Sequence, residues 1–574
     1  MSGRVYRSSR AGGDGTGAPA AAADDPGVAA VSGAVNPADD PGVAGNSATM
    51  AVLSLASRAT GYLRAASVTA ALGTLAVGNA YNTAQFFPAM IYELLLGGIL
   101  SSVLVPVLVR RRKADADGGQ AYTQRLLTLA VLTLGTATLL AVVAAPLLTA
   151  LYAGGDTSAE YRRVVTLLSY LMLPMMFFSG MSALFTAVLH TRGQFAAPAW
   201  APILNNLVVV AVAGLFVALY GPGAPELTDM TAGPVLLLGC GTLLGIAVQV
   251  AGMWPALRRV GFAWRWRAGF AALGLGELGR LGAWMFCYVA VSQVGVAVLL
   301  RLVNSASADG GAAGLAIYNN VYLLMMMAHG IVAVSIITAL LPRMSAAAAD
   351  FRLSDLAADL AKGVRTATAV LAPVAAVFAV LATPIAVTLF EYNAVRPEDS
   401  RRMAQVLVVA ALALIPFSLS QLFTFAFYAL PDTRTPALVN IPVVALRVLL
   451  QVALTFLLGE ALTVAGMMAG NAVSYVVAAV VSAALLRGRI GPIGLRAIAV
   501  TFLKVGAAAV AAGLVGALVV SWLPGDQTPT WWQAVIRLAV GGVVIGATYL
   551  GAARVLRLRE IDDVLGLVAR KLRR

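Results

Sequence analysis

The chain has 574 residues, 60% of them hydrophobic and only 11% charged, with a mean hydropathy of +0.85. A water-soluble domain carries about 25% charged residues, so both a soluble enzyme and a soluble domain with a single anchor are excluded. The net charge of +14 would suggest nucleic acid in a soluble protein; here the basic residues fall between long apolar runs and report orientation in a membrane.

Residues 1–48 are rich in Ala, Gly, Pro, Asp and Ser and hold two near copies of one phrase, ADDPGVAA at 23–30 and ADDPGVAG at 38–45. Such a stretch lacks the apolar content to build a core and lacks the layout of a signal peptide. It reads as a disordered cytoplasmic tail.

The first long apolar segment opens with Ser57 to Arg64, SRATGYLR. Arg58 and Arg64 are separated by about 600° of helical rotation, so they do not share a narrow stripe, although one broad polar cavity can receive both. A charged side chain at membrane depth costs ~2.5 kcal/mol or more. An anionic substrate or a buried carboxylate would offset that cost. The alternative is snorkelling to the headgroups, which suits Arg58, nearer the helix start, better than Arg64.

Segments long enough to span a bilayer are predicted near 50–72, 79–109, 122–150, 163–189, 198–220, 232–257, 280–302, 314–341, 364–390, 404–430, 436–458, 462–486, 498–522 and 531–555. That is an all-α protein of about 14 spans. Alternate loops are basic, holding Arg110 to Lys113, Arg192, Arg258 to Arg267, Arg343 to Arg365, Arg434, and Arg487 to Arg496. The intervening loops are neutral or acidic, apart from Arg162, Arg163, Arg396, Arg401 and Arg402. By the positive-inside rule both termini are cytoplasmic.

Internal repeats are also legible. GGILSSVLVPVL ending span 2 resembles GIVAVSIITALLPRM ending span 8, with Pro106 and Pro342 offset by 236. LHTRGQFAAP after span 4 resembles ALPDTRTPALVNIP after span 10, with Pro198 and Pro436 offset by 238. The ends of spans 6 and 12 align at an offset of 229. A duplicated six-span unit follows, with both copies in one orientation and a central cavity between the lobes.

SRATGYLR, NAYNTAQFFPAMIYELLLGGILSSVLVPVL, TALLPRMS and FYALPDTRTP together resemble the MurJ/MviN lipid II flippases of the multidrug/oligosaccharidyl-lipid/polysaccharide exporter superfamily. The resemblance covers about 50–555. It implies a tail at 1–48, an N-lobe at 49–260 (spans 1–6), a C-lobe at 261–490 (spans 7–12), spans 13 and 14 at 491–556 forming a groove for the lipid tail, and a basic cytoplasmic tail at 557–574. It implies a transporter rather than an enzyme. The cargo would be undecaprenyl-diphosphate-linked peptidoglycan precursor, moved by alternating access to the outer leaflet of the bacterial cytoplasmic membrane. Arg58 and Arg64 match the family's two first-span arginines. Asn79, Tyr92, Gly97 and the Asn319–Leu323 stretch stand where the family carries charged residues.

A diphosphate suits guanidinium forks, which donate two parallel hydrogen bonds; Arg58, Arg64 and Arg301 are the candidates. Glu93 lies mid-span and either faces the cavity or pairs structurally with one of these arginines. Arg447, inside span 11, either lines the second lobe's cavity or meets a helix carbonyl end. Asn82, Gln85, Asn319 and Asn320 offer hydrogen bonds for sugar or peptide, or join helices. Met175–Met176 and Met325–Met327 read as packing, and His329 as an interhelical hydrogen-bonding residue. Two cysteines, Cys240 and Cys287, and two histidines, His190 and His329, give no disulfide framework and no metal cluster. Phosphate-loop and nucleophile patterns are missing, so no cofactor and no hydrolysis by this chain is expected; gradients or membrane potential would drive it. Expected partners are lipid II or a related polyprenyl-diphosphate-linked glycan, membrane lipids and cell-wall assembly proteins, with no nucleic acid. The competing readings are an exporter of another lipid-linked oligosaccharide or of drugs, and a scaffold of wall assembly. An excess of cavity arginines favours an anionic lipid.

Overall fold

The structure is a computed structural model; it describes residues 41–94, 108, 111–112, 115–153, 157–273, 275–306, 314–459, 462–524, 529–562 and 566. The chain forms two compact units, Met1–Thr49 and Met50–Arg574, and the architecture below is that of the second. The described secondary structure is helical, with no strand among the described residues. The first half contains α1 (Pro41–Leu72), α2 (Ala76–Tyr92), α3 (Gln120–Val143), α4 (Ala145–Ala153), α5 (Ala159–Met172), α6 (Met175–Thr191), α7 (Ala196–Tyr220) and α8 (Ala232–Arg259). The second contains α9 (Leu275–Ala306), α10 (Leu315–Ala349), α11 (Leu353–Val380), α12 (Ala382–Phe390), α13 (Pro397–Ala429), α14 (Arg434–Leu458) and α15 (Thr463–Ile490). Two more helices, α16 (Leu495–Ser521) and α17 (Trp531–Val555), close the chain.

Twelve helices among the described residues are long and apolar enough to cross a membrane. They coincide with predicted spans 3 to 14. At the place of span 1 stands α1, with its two arginines; at the place of span 2 stands α2, beyond which the GGILSSVLVPVL stretch lies almost wholly outside the described residues. Two boundaries differ from expectation. Helix α1 begins at Pro41, ahead of the predicted start of span 1 near 50; proline is well suited to a first helical turn, where its missing N–H leaves no bond unmade. The predicted loop at 341–364 is mostly helix: α10 runs on to Ala349 and α11 starts at Leu353. Hydropathy detects spans, whereas Ala-rich sequence such as SAAAAD stays helical past the membrane. The tight turn between them puts Phe351 at φ 58, and Arg352 pairs with both Asp350 (2.9 Å) and Asp355 (2.7 Å).

The duplication is written into the contacts. Asn319 donates to the Asn82 Oδ1 at 3.0 Å across a sequence separation of 237, and the Ala316 N–H donates to the Asn79 side chain across the same separation. Residues one repeat apart therefore meet at the pseudo-twofold axis. In the first lobe Tyr81 and Thr242 share a hydrogen bond of 2.8 Å; at the repeat-related positions Asn471 donates to the Tyr318 hydroxyl at 2.7 Å. The third span of each lobe is interrupted at an equivalent point, Ala144 and Leu381, where the backbone leaves helical geometry. Pro146 and Pro384 follow closely, and proline both removes a helical N–H and restricts the residue before it.

The half-helices beyond these breaks reach the opposite lobe. The Leu389 carbonyl in α12 accepts from the Tyr62 hydroxyl of α1 at 2.7 Å, and the Leu151 carbonyl in α4 accepts from Arg301 of α9 at 3.2 Å. Close by, the Ala70 carbonyl at the end of α1 accepts from the Ala394 N–H and the Asn393 side chain. These contacts join the lobes at the end opposite the loops with Arg192 and Arg258.

Helix α16 packs along α17 and α11. Gly516 sits against Ile545, Gly541 against Leu381 and Val520, and the Tyr549 hydroxyl donates to the Ala369 carbonyl at 2.7 Å. The stretch predicted as a free basic tail starts against this body: Leu558 and Ile561 are buried, and Glu560 lies 3.5 Å from Arg365.

Candidate functional site

A cavity of about 500 Å³ opens between α1, α2, α7 and α10, with both lobes contributing walls. Its lining is amide-rich: Asn82 and Gln85 from α2, Asn206 from α7, Asn319 and Asn320 from α10. Arg64 is the one charged side chain among the described lining residues. It is half-buried and makes no ion pair among the described residues. A guanidinium held at membrane depth without a carboxylate carries an uncompensated desolvation cost. An anion entering the cavity would relieve it.

The amides are held in place rather than loose. Asn82 donates to the Gly78 carbonyl at 2.8 Å while accepting from Asn319. Asn320 donates to Thr69 at 2.9 Å, and Asn206 to Thr60 at 3.1 Å. Each side chain thus ties two helices together and leaves spare bonding capacity at the cavity wall. Asn79 is buried outside the lining, where its Oδ1 caps the first turn of α10 at 3.1 Å, satisfying one of the orphan N–H groups of a helix start.

Of the eight residues singled out from sequence, Arg64, Asn82, Gln85 and Asn319 converge on this cavity. The other four lie elsewhere. Arg58 leans across to the second lobe, where its guanidinium lies on the backbone of Gly330; a Cβ there would stand 2.7 Å from Cζ. The neighbouring His329 is hydrogen-bonded to Ser418 at 2.9 Å, the interhelical role expected of it. Glu93 terminates α2 with an exposed side chain and no ion pair to Arg58 or Arg64 among the described residues. Arg301 is exposed and bonded to the Leu151 carbonyl, outside the lining; it is the repeat mate of Arg64, so the two lobes place equivalent arginines in different surroundings.

Arg447 projects from α14 onto the backbone of α9. It meets Gly295 and the Ser292 carbonyl (3.4 Å), in the middle of α9 rather than at a helix carbonyl end. Its Nε is buried without a hydrogen-bond partner. The hydroxyls of Tyr288, Tyr318, Tyr322 and Tyr475 lie within its electrostatic reach, and Tyr322 also lines the cavity. Sequence reasoning missed Asn206, Tyr81 and Tyr322. The adjacent Asn205–Asn206 pair inside an apolar run was an available signal for the first.

Comparison with known proteins places this geometry. Residues 68–531 match the family model described as Lipid II flippase MurJ. A protein of Rhizobium meliloti (strain 1021) named "Probable lipid II flippase MurJ" is 28% identical over 394 residues, covering 68% of this chain and 71% of that protein. One from Burkholderia cenocepacia named "Lipid II flippase MurJ" is 25% identical over 422 residues, covering 72% and 78%. Among solved structures, "Lipid II flippase MurJ, inward closed conformation" superposes with a TM-score of 0.70 at 17% identity, over 88% of this chain and 99% of that one. An inward-facing multidrug resistance MATE family transporter of the MOP superfamily gives 0.60 at 17% identity, over 75% and 94%.

Proposed function

We propose a transport mechanism for this chain, which belongs to the MurJ family of lipid II flippases. It is a multi-pass protein of a bacterial membrane and a transporter, not an enzyme; its cargo is lipid II, and alternating access fits the fold it shares with its structural neighbours. The observation that carries the mechanism is Arg64, a cavity guanidinium set among amides from both lobes and without an ion pair among the described residues. In our reading Arg64 forks onto the diphosphate, while Asn82, Gln85, Asn206, Asn319 and Asn320 hydrogen-bond the sugar and peptide. The amide-rich lining suits a polar headgroup and would be desolvated without compensation by a polyprenyl chain. The lipid tail therefore stays outside, and the groove along α16 and α17 is its proposed track.

Arg58 acts differently in this reading. Seated on Gly330, it latches α1 to α10 at the basic end and lets go when that end opens. At the other end the bonds from Tyr62, Arg301 and Ala394 release in turn. Arg447 contributes positive potential to the Tyr322 wall of the cavity rather than a direct ligand. Loop charges orient the molecule with both termini in the cytoplasm, and the lobes divide near 260 and 490. The test is depletion: cells losing this protein should accumulate lipid II in the inner leaflet, and re-expression should clear it. An unchanged leaflet distribution would refute the proposal.

A further inference from the structure

We infer that a second pocket, between α3, α6 and α8 at the basic end, binds an anionic glycerophospholipid, with one acyl chain inside and the phosphate at its mouth. The pocket holds about 420 Å³ and is walled by hydrocarbon and aromatic side chains, among them Val131, Phe177, Phe178, Phe185, Trp254 and Trp264. None of its lining residues lines the central cavity. An opening of this character, in a helical body that lives in lipid, accepts an alkyl chain on hydrophobic grounds alone.

The mouth supplies selectivity. Beyond α8 the chain runs as FAWRWR, residues 262–267, in an extended course across the ends of α3. It is strapped down by Gln120 to the Gly261 carbonyl (3.2 Å), by Gln124 to the Ala263 carbonyl and by the Arg267 N–H to Thr128 (3.2 Å). Arg192 holds the Val260 carbonyl at 2.7 Å. The alternation that follows buries Phe262 and tucks Trp264 into the pocket, while Arg265, Trp266 and Arg267 are exposed. Trp266 keeps contact with Trp264 at 5.2 Å between ring centroids. The Trp264 Nε1 is buried without a hydrogen-bond partner among the described residues, an unusual state for an indole N–H. Arg258 lies 5.7 Å over the ring of Trp254, one of the lining residues.

Arg258 and Arg265 have no ion pair among the described residues, whereas Arg267 is partly neutralised by Asp117. A phosphodiester at the mouth pairs with the guanidiniums of Arg258 and Arg265. Its chain fills the pocket below. A neutral lipid would supply the chain and leave the guanidiniums unmatched. Trp and Arg side by side at a helix end are also what a bilayer interface selects. The proposed topology serves only to say which leaflet provides the lipid.

The test uses the full chain in detergent, where topology and transport play no part. Native mass spectrometry would compare dioleoyl phosphatidylglycerol with dioleoyl phosphatidylcholine. Each arginine near an anionic headgroup is worth ~1 kcal/mol, about fivefold, so phosphatidylglycerol should be retained at roughly five- to twentyfold lower concentration. The Arg258→Gln/Arg265→Gln double variant, altered only at surface charges, should bring the two lipids to parity without changing phosphatidylcholine retention. Val250→Trp should fill the pocket and lower retention of both. In case that variant fails to fold, phosphatidylglycerol with a photoactivatable acyl chain should label wild-type peptides around 177–185 and 250–266. Equal retention by the wild type, an undiminished preference in the double variant, or labelling away from those peptides would each overturn the assignment.

Discussion

Replacing Arg64 by alanine tests the proposed mechanism most directly. The side chain faces the cavity and has no carboxylate partner among the described residues, so its removal should leave folding stability within about 0.5 kcal/mol of wild type. Binding is another matter. A hydrogen bond to a charged group contributes roughly 1.5–3 kcal/mol, and a bidentate fork on a diphosphate makes two of them. The loss is then ~3–6 kcal/mol, on the order of 10²- to 10⁴-fold in affinity. The lower end is expected, because the cavity also admits water. Arg64→Lys keeps the point charge but not the fork, and should recover about half of that free energy. The assay is complementation of a flippase-depleted strain, with membrane abundance and inner-leaflet lipid II measured for each variant. Normal growth and normal lipid II distribution with Arg64→Ala at wild-type abundance would refute the reasoning and remove this arginine from cargo recognition.

Gly330→Ala should unseat Arg58 at little cost in melting temperature, since the displaced group is the free end of a flexible side chain; complementation should nevertheless fall, and full activity would remove the latch. Gly516→Ala forces its new methyl into Ile545 and should cost about 1–3 kcal/mol, read as a lower melting temperature in detergent, whereas Gly513→Ala, with Val380 3.5 Å away, should be neutral. Burial pushes the Asp432 carboxyl up, but hydrogen bonds from Thr435 and the charge of Arg489 outweigh it and hold the group below the ordinary carboxylate value. Its stabilisation is therefore present above that ordinary value and lost as pH falls through the depressed one. Asp432→Asn keeps a side-chain oxygen for the Thr435 N–H at the start of α14 but loses the charge paired with Arg489, so it should melt lower at neutral pH by ~0.2–1 kcal/mol and should lack this acid-side loss. Arg447→Met should raise or preserve the melting temperature, because a half-buried charge without a carboxylate among the described residues is removed, and should lower transport; unchanged transport would remove Arg447 from the mechanism.

Much of this was legible in the sequence because membrane constraints are local. Twenty apolar residues and alternating loop charge identify spans without reference to any neighbour, and the offsets between Pro106 and Pro342 or Pro198 and Pro436 expose the repeat. Arg64, Asn82, Gln85 and Asn319 were found because a polar side chain at such depth needs a reason. What stayed hidden depends on pairing between distant helices. Nothing near Arg58 announces that Gly330 will receive its guanidinium. Nothing near Arg301 says that it will face away from the cavity that its repeat mate Arg64 lines. The interruptions at Ala144 and Leu381 were signalled by the prolines that follow, yet a hydropathy window averages across them.

The carbonyls of Ala70, Leu389 and Leu151 all belong to the last turns of α1, α12 and α4, where a helix leaves acceptors unused. These three acceptors are main-chain atoms that every substitution preserves, short of one that unwinds the helix. Genetic change can loosen these three contacts only from the donor side. A screen for variants that leak or lock open should accordingly be lopsided, with hits at Tyr62, Arg301 and Asn393 and silence at the three positions opposite them. A compound designed to jam this end through these three carbonyls would find them unable to mutate away.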